Sequence, residues 1–257
     1  MSRLDALRGD AAVLARLLRG MPRAGSHAEA LTRFYSAQSA HYDAFRERLL
    51  AGRAELVASI ELPAEARIIE LGGGTGRNAE FFGERLARIA SYEVVDLCAP
   101  LLARARERAR RIPQMHVIEA DATRWQPAVP ADVVILSYAL TMIPDWRAAI
   151  DNAVAMLRPG GVLAVVDFHV SPAQADRGRV QHHALMRWFW PRWFAHDGVR
   201  LDPAHLPALR RCLPLHHVVE ASSPLPWLPL ARVPSYRFIG RALAPATLSA
   251  SVLAESA

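Results

Sequence analysis

A glycine cluster, Glu70-Leu71-Gly72-Gly73-Gly74-Thr75-Gly76, follows a short β-branched segment and precedes a helical one. Glycines at a turn from strand to helix let the backbone approach a nucleotide with no Cβ atom in the way. A dinucleotide fingerprint has glycine at its first, third and sixth positions. Here glycine occupies the first, third and fifth positions, and Arg77 stands at the sixth. The cluster therefore predicts a nucleotide-containing cofactor but departs from the dinucleotide pattern.

Acidic and polar side chains end the strands that follow. Asp96 ends the second strand, where a carboxylate can accept hydrogen bonds from both ribose hydroxyls, although it could also cap the next helix. Asp121 ends the third strand in "EADAT", and Ser137 and Tyr138 end the fourth in "LSYALTMI". These positions predict a cofactor and substrate site at the carboxyl edge of the sheet. Asp167 ends the fifth strand, where a structural role is equally open.

The glycine spacing, with Glu70 as the leading acid, resembles motif I of the class I S-adenosylmethionine-dependent methyltransferases. This resemblance implies S-adenosylmethionine as the cofactor and S-adenosylhomocysteine as its product. It places Asp121 and Ala122 near the adenine amino group, while Thr123 could serve only to cap the next turn. The cofactor-binding residues that the resemblance implies in this part of the chain are Glu70, Gly72, Gly73, Gly74, Gly76, Asp96, Leu97, Asp121, Ala122, Thr123 and Ser137.

Four segments of the sequence restrict this resemblance to one group of methyltransferases. "FYSAQSAHYDAFRERLLAGRAEL", "ELGGGTGRNAEFF", "VVDLCAPLLARAR" and "YRFIGR" together resemble the diacylglycerylhomoserine N-methyltransferases, over residues 28 to 241. The resemblance implies three successive methyl transfers to the homoserine amine of a glycerolipid, giving a trimethyl betaine lipid. It also implies that Tyr35, Tyr42 and Arg53 fold over the cofactor, with Arg53 near its carboxylate. From the residues alone, Tyr35 and Tyr42 share one helix face and could equally be core.

Methyl transfer from a sulfonium to an amine is an in-line displacement, so the protein chiefly aligns the reactants and excludes water. A nearby sulfonium lowers the pKa of the amine, as like charges do, and a dedicated base is therefore optional. Tyr138, Asp167 and His169 are the candidates for relaying the proton. A structural histidine with its hydrogen bonds satisfied is the alternative for His169.

Three tryptophans, two phenylalanines and two arginines fall within "RWFWPRWF" at residues 187–194, between the fifth and sixth strands. We predict that this insertion, residues 171–212, caps the substrate site. Arg187 and Arg192 would pair with a carboxylate or with anionic headgroups, and Trp190 and Trp193 would meet acyl chains. The alternative is a helix whose aromatic face completes the core. The four histidines of the insertion lack tight ligand spacing, so no metal site is predicted.

Composition restricts the function further. All 31 basic residues are arginine, which excludes a phosphate-loop nucleotidase and Schiff-base chemistry because both need lysine. The net charge of +6 predicts an anionic partner, and we expect an anionic membrane surface. We expect no nucleic-acid partner, because "LSYALTMIP" lacks an Asn-Pro-Pro-Tyr-type motif. Two cysteines, no signal segment and no long apolar run predict a cytoplasmic protein on the inner face of the membrane.

Alternating strands and helices after residue 63 predict an α/β fold: a doubly wound, mostly parallel, seven-stranded sheet of the Rossmann-like methyltransferase class. Residues 1–62 are expected to form N-terminal helices that close over the cofactor and contact a membrane. Residues 63–257 would form the core, with residues 216–222 and 235–242 as an edge hairpin. Two other functions stay open: methylation of another acceptor, such as phosphatidylethanolamine or a quinone precursor, and a non-catalytic cofactor-binding protein at a membrane.

Overall fold

The computed structural model describes residues 25–35, 49–225 and 228–243. Seven strands and six α-helices are defined in this part of the chain, together with a 3₁₀ helix at Arg77–Arg88. The strands are β1 Ala66–Leu71, β2 Ile89–Asp96, β3 Met115–Glu119, β4 Ala131–Ser137, β5 Leu157–Phe168, β6 Leu215–Leu225 and β7 Leu228–Arg241. The helices are α1 His27–Tyr35, α2 Arg53–Ala58, α3 Ala99–Ala109, α4 Trp146–Ala155, α5 Ala184–Ala195 and α6 His205–Cys212.

The seven strands form one sheet in the order β3-β2-β1-β4-β5-β7-β6. Strands β1 to β5 pair in parallel, while β7 runs antiparallel to both β5 and β6. The chain leaves β1 in one direction along the sheet and returns at β4 on its other side, so the strand order reverses between them. This confirms the predicted doubly wound sheet and its edge hairpin, and a ligand cleft is expected at the point of reversal.

Both faces of the sheet are buried, which explains the nearly continuous apolar strands. In β4, for example, "ADVVILS" is buried on both sides. One face packs against α2, α3 and α5 through a core that includes Val166, Phe168 and Trp190. The other face packs against α4 and α6 through a core that includes Leu136, Trp146 and Tyr236. Alternate residues of one strand therefore belong to different cores.

Two helical expectations need correction. The segment after the glycine cluster is a 3₁₀ helix interrupted at Gly83, whose φ of 55° and ψ of −130° lie outside the helical region. Between residues 28 and 60, which the sequence indicates to be largely helical, the described residues include α1 and α2, and Gly52, with φ of 85°, interrupts the helical backbone immediately before α2. Tyr42 and the rest of residues 36–48 lie outside the described residues.

The insertion between β5 and β6 is helical, as predicted, and contains α5 and α6. On the same side of the sheet as α6, Asp145 caps α4 by accepting a hydrogen bond from the Ala148 backbone N–H at 3.2 Å. Within the described ranges, we find no helix that combines the length and apolarity required to cross a bilayer.

Candidate functional site

The glycine cluster forms a tight loop from the end of β1 into the 3₁₀ helix. Gly72, Gly74 and Gly76 all have left-handed backbones, with φ of 66°, 55° and 65°. A Cβ atom on Gly72 would lie 2.8 Å from the Cβ of Ala139, so the loop sits directly against the end of β4. Gly76 packs instead against Met115 and does not line the cavity described below, so its expected contact with the cofactor stays a prediction.

The side chain of Glu70, near the end of β1, anchors this loop. Its buried carboxylate accepts hydrogen bonds from Asn78 Nδ2 and from the Tyr92 hydroxyl, both at 2.7 Å. Burial raises the pKa of Glu70 to about 7, although these two donors lower it in part. Sequence reasoning missed both donors. A buried acid signals that partners must exist, but not which residues supply them.

Asp96 ends β2 beside the loop. Its two carboxylate oxygens accept hydrogen bonds from the backbone N–H groups of Gly74, at 2.8 Å, and Cys98, at 2.7 Å. Each oxygen can accept more than one hydrogen bond, so both can still receive donors from a ligand. Asp96 therefore links the glycine loop to the beginning of α3 and presents acceptors to the space between them.

Asp121 holds the turn after β3. It accepts hydrogen bonds from the Thr123 backbone N–H at 2.9 Å, from the Thr123 hydroxyl at 2.7 Å and from Arg124 Nη2 at 3.0 Å. Burial alone would raise the pKa of Asp121, but the donors from Thr123 and Arg124 outweigh it and lower the pKa. The hydroxyl of Thr123 is thus used within the turn. Arg124 also borders the cavity, a position that the sequence did not indicate.

These groups surround a cavity of about 480 Å³ at the carboxyl edge of the sheet. Its wall includes eight of the predicted cofactor residues, namely Tyr35, Gly72, Gly74, Asp96, Leu97, Asp121, Ala122 and Thr123, together with the relay candidate Tyr138. Apolar wall comes from Leu31 of α1, Leu101 of α3 and Met142 after β4. A volume in the range of small-molecule sites, a carboxylate in the wall and an apolar cleft suit an adenosine group.

A smaller polar recess of about 20 Å³ lies on the other side of the glycine loop. Arg53, Glu70, Gly73, Asn78 and Ser137 are among its lining residues. Arg53 is 8% exposed and its Nε donates to the Leu50 carbonyl at 3.2 Å. The Ser137 hydroxyl is buried without a hydrogen-bond partner. A cation, an acid and an unused hydroxyl together fit a ligand group that carries both a carboxylate and an ammonium.

Of the three candidates for proton relay, only Tyr138 lines the cavity. It adopts a left-handed backbone with φ of 54°, and its hydroxyl donates to the Ala51 carbonyl at 2.6 Å. Its ring packs on Phe168, with 4.6 Å between ring centroids. The hydroxyl proton is therefore already engaged with the segment that leads into α2.

Asp167 and His169 do not line the cavity, and their expected catalytic role stays a prediction. Because side chains alternate between the two faces along an extended chain, both side chains point away from Phe168 and toward the other face of the sheet. Asp167 is fully buried and accepts hydrogen bonds from the Thr141 hydroxyl at 2.7 Å and the Phe168 N–H at 2.8 Å. Burial raises the pKa of Asp167 to about 6, although those bonds lower it in part. Nε2 of His169 lies 3.4 Å from Glu220 Oε1, and its ring packs against Tyr236.

The aromatic insertion does not reach the cavity either. Trp190 is 4% exposed and packs on Phe194 within the core. Arg187 donates to the Pro172 carbonyl, and Arg192 donates to the Trp188 carbonyl, each at 3.0 Å. Trp193 is exposed on the far side of the helix. Four residues expected to contact the substrate do not line this cavity, because α5 packs its inner side against the sheet, and the expectation stays a prediction: Arg187, Trp190, Arg192 and Trp193.

A family model described as "Methyltransferase domain" matches residues 42–213. The trans-aconitate 2-methyltransferase of Azoarcus sp. (strain BH72) is 34% identical over 162 residues, which are 63% of this chain and 59% of the relative. The trans-aconitate 2-methyltransferase of Rhizobium etli is 28% identical over 172 residues, or 66% of this chain and 64% of the relative. The chain therefore spans less than two thirds of the length of these curated relatives.

Solved structures share the fold. An O-methyltransferase family protein from Burkholderia thailandensis superposes with a TM-score of 0.63 and 19% identity, covering 94% of this chain and 71% of that chain. The N-methyltransferase NodS from Bradyrhizobium japonicum WM9, solved with S-adenosyl-l-homocysteine, gives a TM-score of 0.52 and 19% identity, covering 76% of this chain and 87% of that chain.

The comparisons correct the expected substrate. The curated relatives in the 28–34% identity range are named trans-aconitate 2-methyltransferase, so the assignment to N-methylation of diacylglycerylhomoserine is wrong. Two of the segments on which that assignment depended, "ELGGGTGRNAEFF" and "VVDLCAPLLARAR", contain the glycine loop and Asp96, which border the cavity. Such segments are shared among enzymes that methylate different acceptors, and they carry little information about the acceptor itself.

Proposed function

This chain belongs to the methyltransferase-domain family and uses S-adenosylmethionine as its cofactor, and from that premise we propose that it methylates a carboxylate of a small polycarboxylic acid such as trans-aconitate. The name shared by its curated relatives supports this acceptor. The similarity to these relatives is the observation that carries the proposal. Tyr138, the one relay candidate that borders the cavity, donates its hydroxyl proton to the Ala51 carbonyl at 2.6 Å, which is compatible with an acceptor that needs no base.

We propose that the cofactor lies with its ribose on Asp96 and its adenine between Leu97 and Ala122. Its amino-acid end would reach the polar recess, where Arg53 meets the carboxylate and Ser137 supplies a hydroxyl. Gly72 lies against Ala139, and both residues border the cavity, so the loop backbone forms part of the wall that would face the cofactor. Leu31 and Tyr35 give α1 a place in the wall, which supports the expectation that the N-terminal helices close over the cofactor.

A carboxylate acceptor suits this cavity chemically. When bound, S-adenosylmethionine supplies an electrophilic methyl group whose bond to sulfur breaks as the new bond forms, and the electron pair stays on the sulfur. A carboxylic acid is already ionised at neutral pH, so no residue has to remove a proton from it. The apolar wall formed by Leu101, Met142 and their neighbours excludes water, which strengthens the attraction between a carboxylate and a positive centre.

The test is to incubate the chain with S-adenosylmethionine and trans-aconitate and to analyse the products by mass spectrometry. We expect S-adenosylhomocysteine and a methyl ester in equal amounts. The trimethyl ester of trans-aconitate has no free carboxylate and should give neither product. Asp151→Asn, which changes an exposed acid of α4, is the control for handling of the protein. Binding of S-adenosylmethionine without methylation of trans-aconitate or of related acids would refute the acceptor and leave the cofactor site standing.

A further inference from the structure

The outer side of α5 carries large apolar side chains that face solvent. Leu185, Trp188, Phe189 and Trp193 are 71%, 54%, 36% and 45% exposed. They lie three, four and eight residues along the helix from the first, so they share one face. On the opposite face, Trp190 is buried in the core beneath the sheet. The helix is thus apolar on two sides, and the rest of the described chain covers only the inner one.

We call these four side chains the outer face of α5, and its three aromatic rings each contact a neighbouring side chain of the helix. The rings of Phe189 and Trp193 lie with centroids 5.6 Å apart, and Phe189 also contacts the ring of buried Trp190 at 5.0 Å. The Arg192 guanidinium lies 4.8 Å from the centroid of the Trp188 ring. The outer face is therefore an ordered aromatic surface that carries the Arg192 guanidinium. The contact between Phe189 and buried Trp190 connects this surface to the core.

Basic residues outnumber acidic ones in the segment that carries this face. Helix α5, "ALMRWFWPRWFA", contains two arginines and no acid. The whole insertion, residues 171–212, contains seven arginines (177, 179, 187, 192, 200, 210 and 211) against three aspartates (176, 197 and 202). Tryptophan and arginine together are typical of the boundary between lipid and water, where a ring sits among headgroups and a guanidinium meets phosphate.

We propose that the outer face of α5 docks the protein on an anionic lipid surface. Leu185, Trp188, Phe189 and Trp193 enter the headgroup boundary, and Arg192 meets lipid phosphates. A second copy of the chain fits this face less well. A two-fold contact between outer faces brings their arginines together with no acid in the helix, and four side chains offer less area than a stable dimer needs. The proposal does not depend on the identity of the methyl acceptor.

The test is co-sedimentation of the full chain with vesicles of phosphatidylglycerol and phosphatidylcholine, compared with vesicles of phosphatidylcholine alone. The unmodified chain should bind the anionic vesicles more tightly, and less so as salt increases. The double variant Trp188→Ser/Trp193→Ser should lose at least about tenfold in partitioning, because its aromatic contact with the headgroup boundary is removed. Arg192→Gln alone should lose about fivefold.

The matched control is Val129→Ser/Leu215→Ser, which removes two apolar side chains that are 49% and 58% exposed elsewhere on the surface. This control should bind vesicles like the unmodified chain, and both double variants should unfold at the same thermal midpoint as the unmodified chain. Equal binding to both kinds of vesicle, or equal loss in the control, would overturn the proposal. So would a dimer in solution that only the tryptophan variant dissociates, because a second copy would then occupy the face.

Discussion

At the scale of single residues, Asp96 holds the conformation of the glycine loop and is also proposed to bind the cofactor. Its oxygens already accept the N–H groups of Gly74 and Cys98 and keep further acceptor capacity toward the cavity. Asp96→Asn preserves the size of the side chain but replaces one acceptor with a donor. We expect S-adenosylmethionine to bind about 10- to 100-fold more weakly, measured by isothermal titration calorimetry. Asp151→Asn should bind normally, and an unchanged affinity in Asp96→Asn would remove Asp96 from the site.

Glu70 should make the stability of the protein depend on pH. The unfolded chain releases this proton near pH 4.5, whereas burial holds it in the folded chain up to a pKa of about 7. The free energy of unfolding therefore falls as the pH rises between these two values and then levels off. The Glu70 contribution to this fall is on the order of 3 kcal/mol.

The Glu70→Gln variant should lose this contribution. Urea denaturation from about pH 5 to about pH 8 would show a shallower decline than in the unmodified chain. Asp167, whose pKa burial raises to about 6, contributes in the same direction and remains in both proteins. Glu84→Gln, at an exposed position of the 3₁₀ helix, is the matched control and should follow the unmodified chain. Parallel curves for Glu70→Gln and the unmodified chain would contradict the prediction.

At the scale of elements, the glycine loop requires both an unusual backbone and a close neighbour. Gly72 and Gly178 both have positive φ, of 66° and 80°, but only Gly72 has an atom within reach of an added Cβ, the Ala139 Cβ at 2.8 Å. Gly178→Ala should therefore cost about 1 kcal/mol of stability, and Gly72→Ala about 2–4 kcal/mol. Thermal or urea denaturation measures both, and cofactor binding should weaken only in Gly72→Ala. Equal costs would show that the contact with Ala139 relaxes freely.

Substitutions on the two sides of helix α5 should lower the stability of the protein by very different amounts. Trp190→Ala removes a ring that is 4% exposed and leaves a cavity beside Phe194, so we expect a loss of about 3–5 kcal/mol. Trp188→Ala removes a ring that is 54% exposed, for a loss of about 1 kcal/mol or less. Urea denaturation of the two variants provides the comparison. Similar losses would mean that the outer face is covered within the folded chain.

The elements show what the sequence could and could not reveal about the site. The glycine spacing and the acids at strand ends are local signals, and they correctly indicated the part of the wall that Gly72, Asp96 and Asp121 provide. The sequence near a strand end does not reveal which face of the sheet each side chain points to. Near the end of β5, successive residues point to opposite faces, so Phe168 lies with Tyr138 while Asp167 and His169 lie in the other direction. Only the packed sheet decides between them.

At the scale of the whole molecule, the fold could be predicted almost completely and the acceptor could not. Alternating strands and helices fix a parallel doubly wound sheet, and the two late strands fix its antiparallel edge. The cofactor half of the site is built from consecutive short segments on that sheet. Acceptor recognition instead depends on which distant segments meet over the cavity, and "RWFWPRWF" illustrates the difficulty. Its composition suits a lid, but two of its five aromatic rings complete the core and the other three face solvent.

The charge of the whole molecule leads to a prediction about the acceptor. A protein with a net charge of +6 attracts a polyanion over distances that salt controls. The screening length shrinks from about 30 Å at 0.01 M salt to about 8 Å at 0.15 M. Over this range, kcat/KM for trans-aconitate should fall several-fold, while the affinity for S-adenosylmethionine, which carries charges of both signs, should change much less. Steady-state kinetics and calorimetry in the same buffers test this. An acceptor whose kcat/KM is independent of salt would not be a polyanion, and the proposed substrate class would have to be abandoned even though the methyl-transfer fold and its cofactor site would remain.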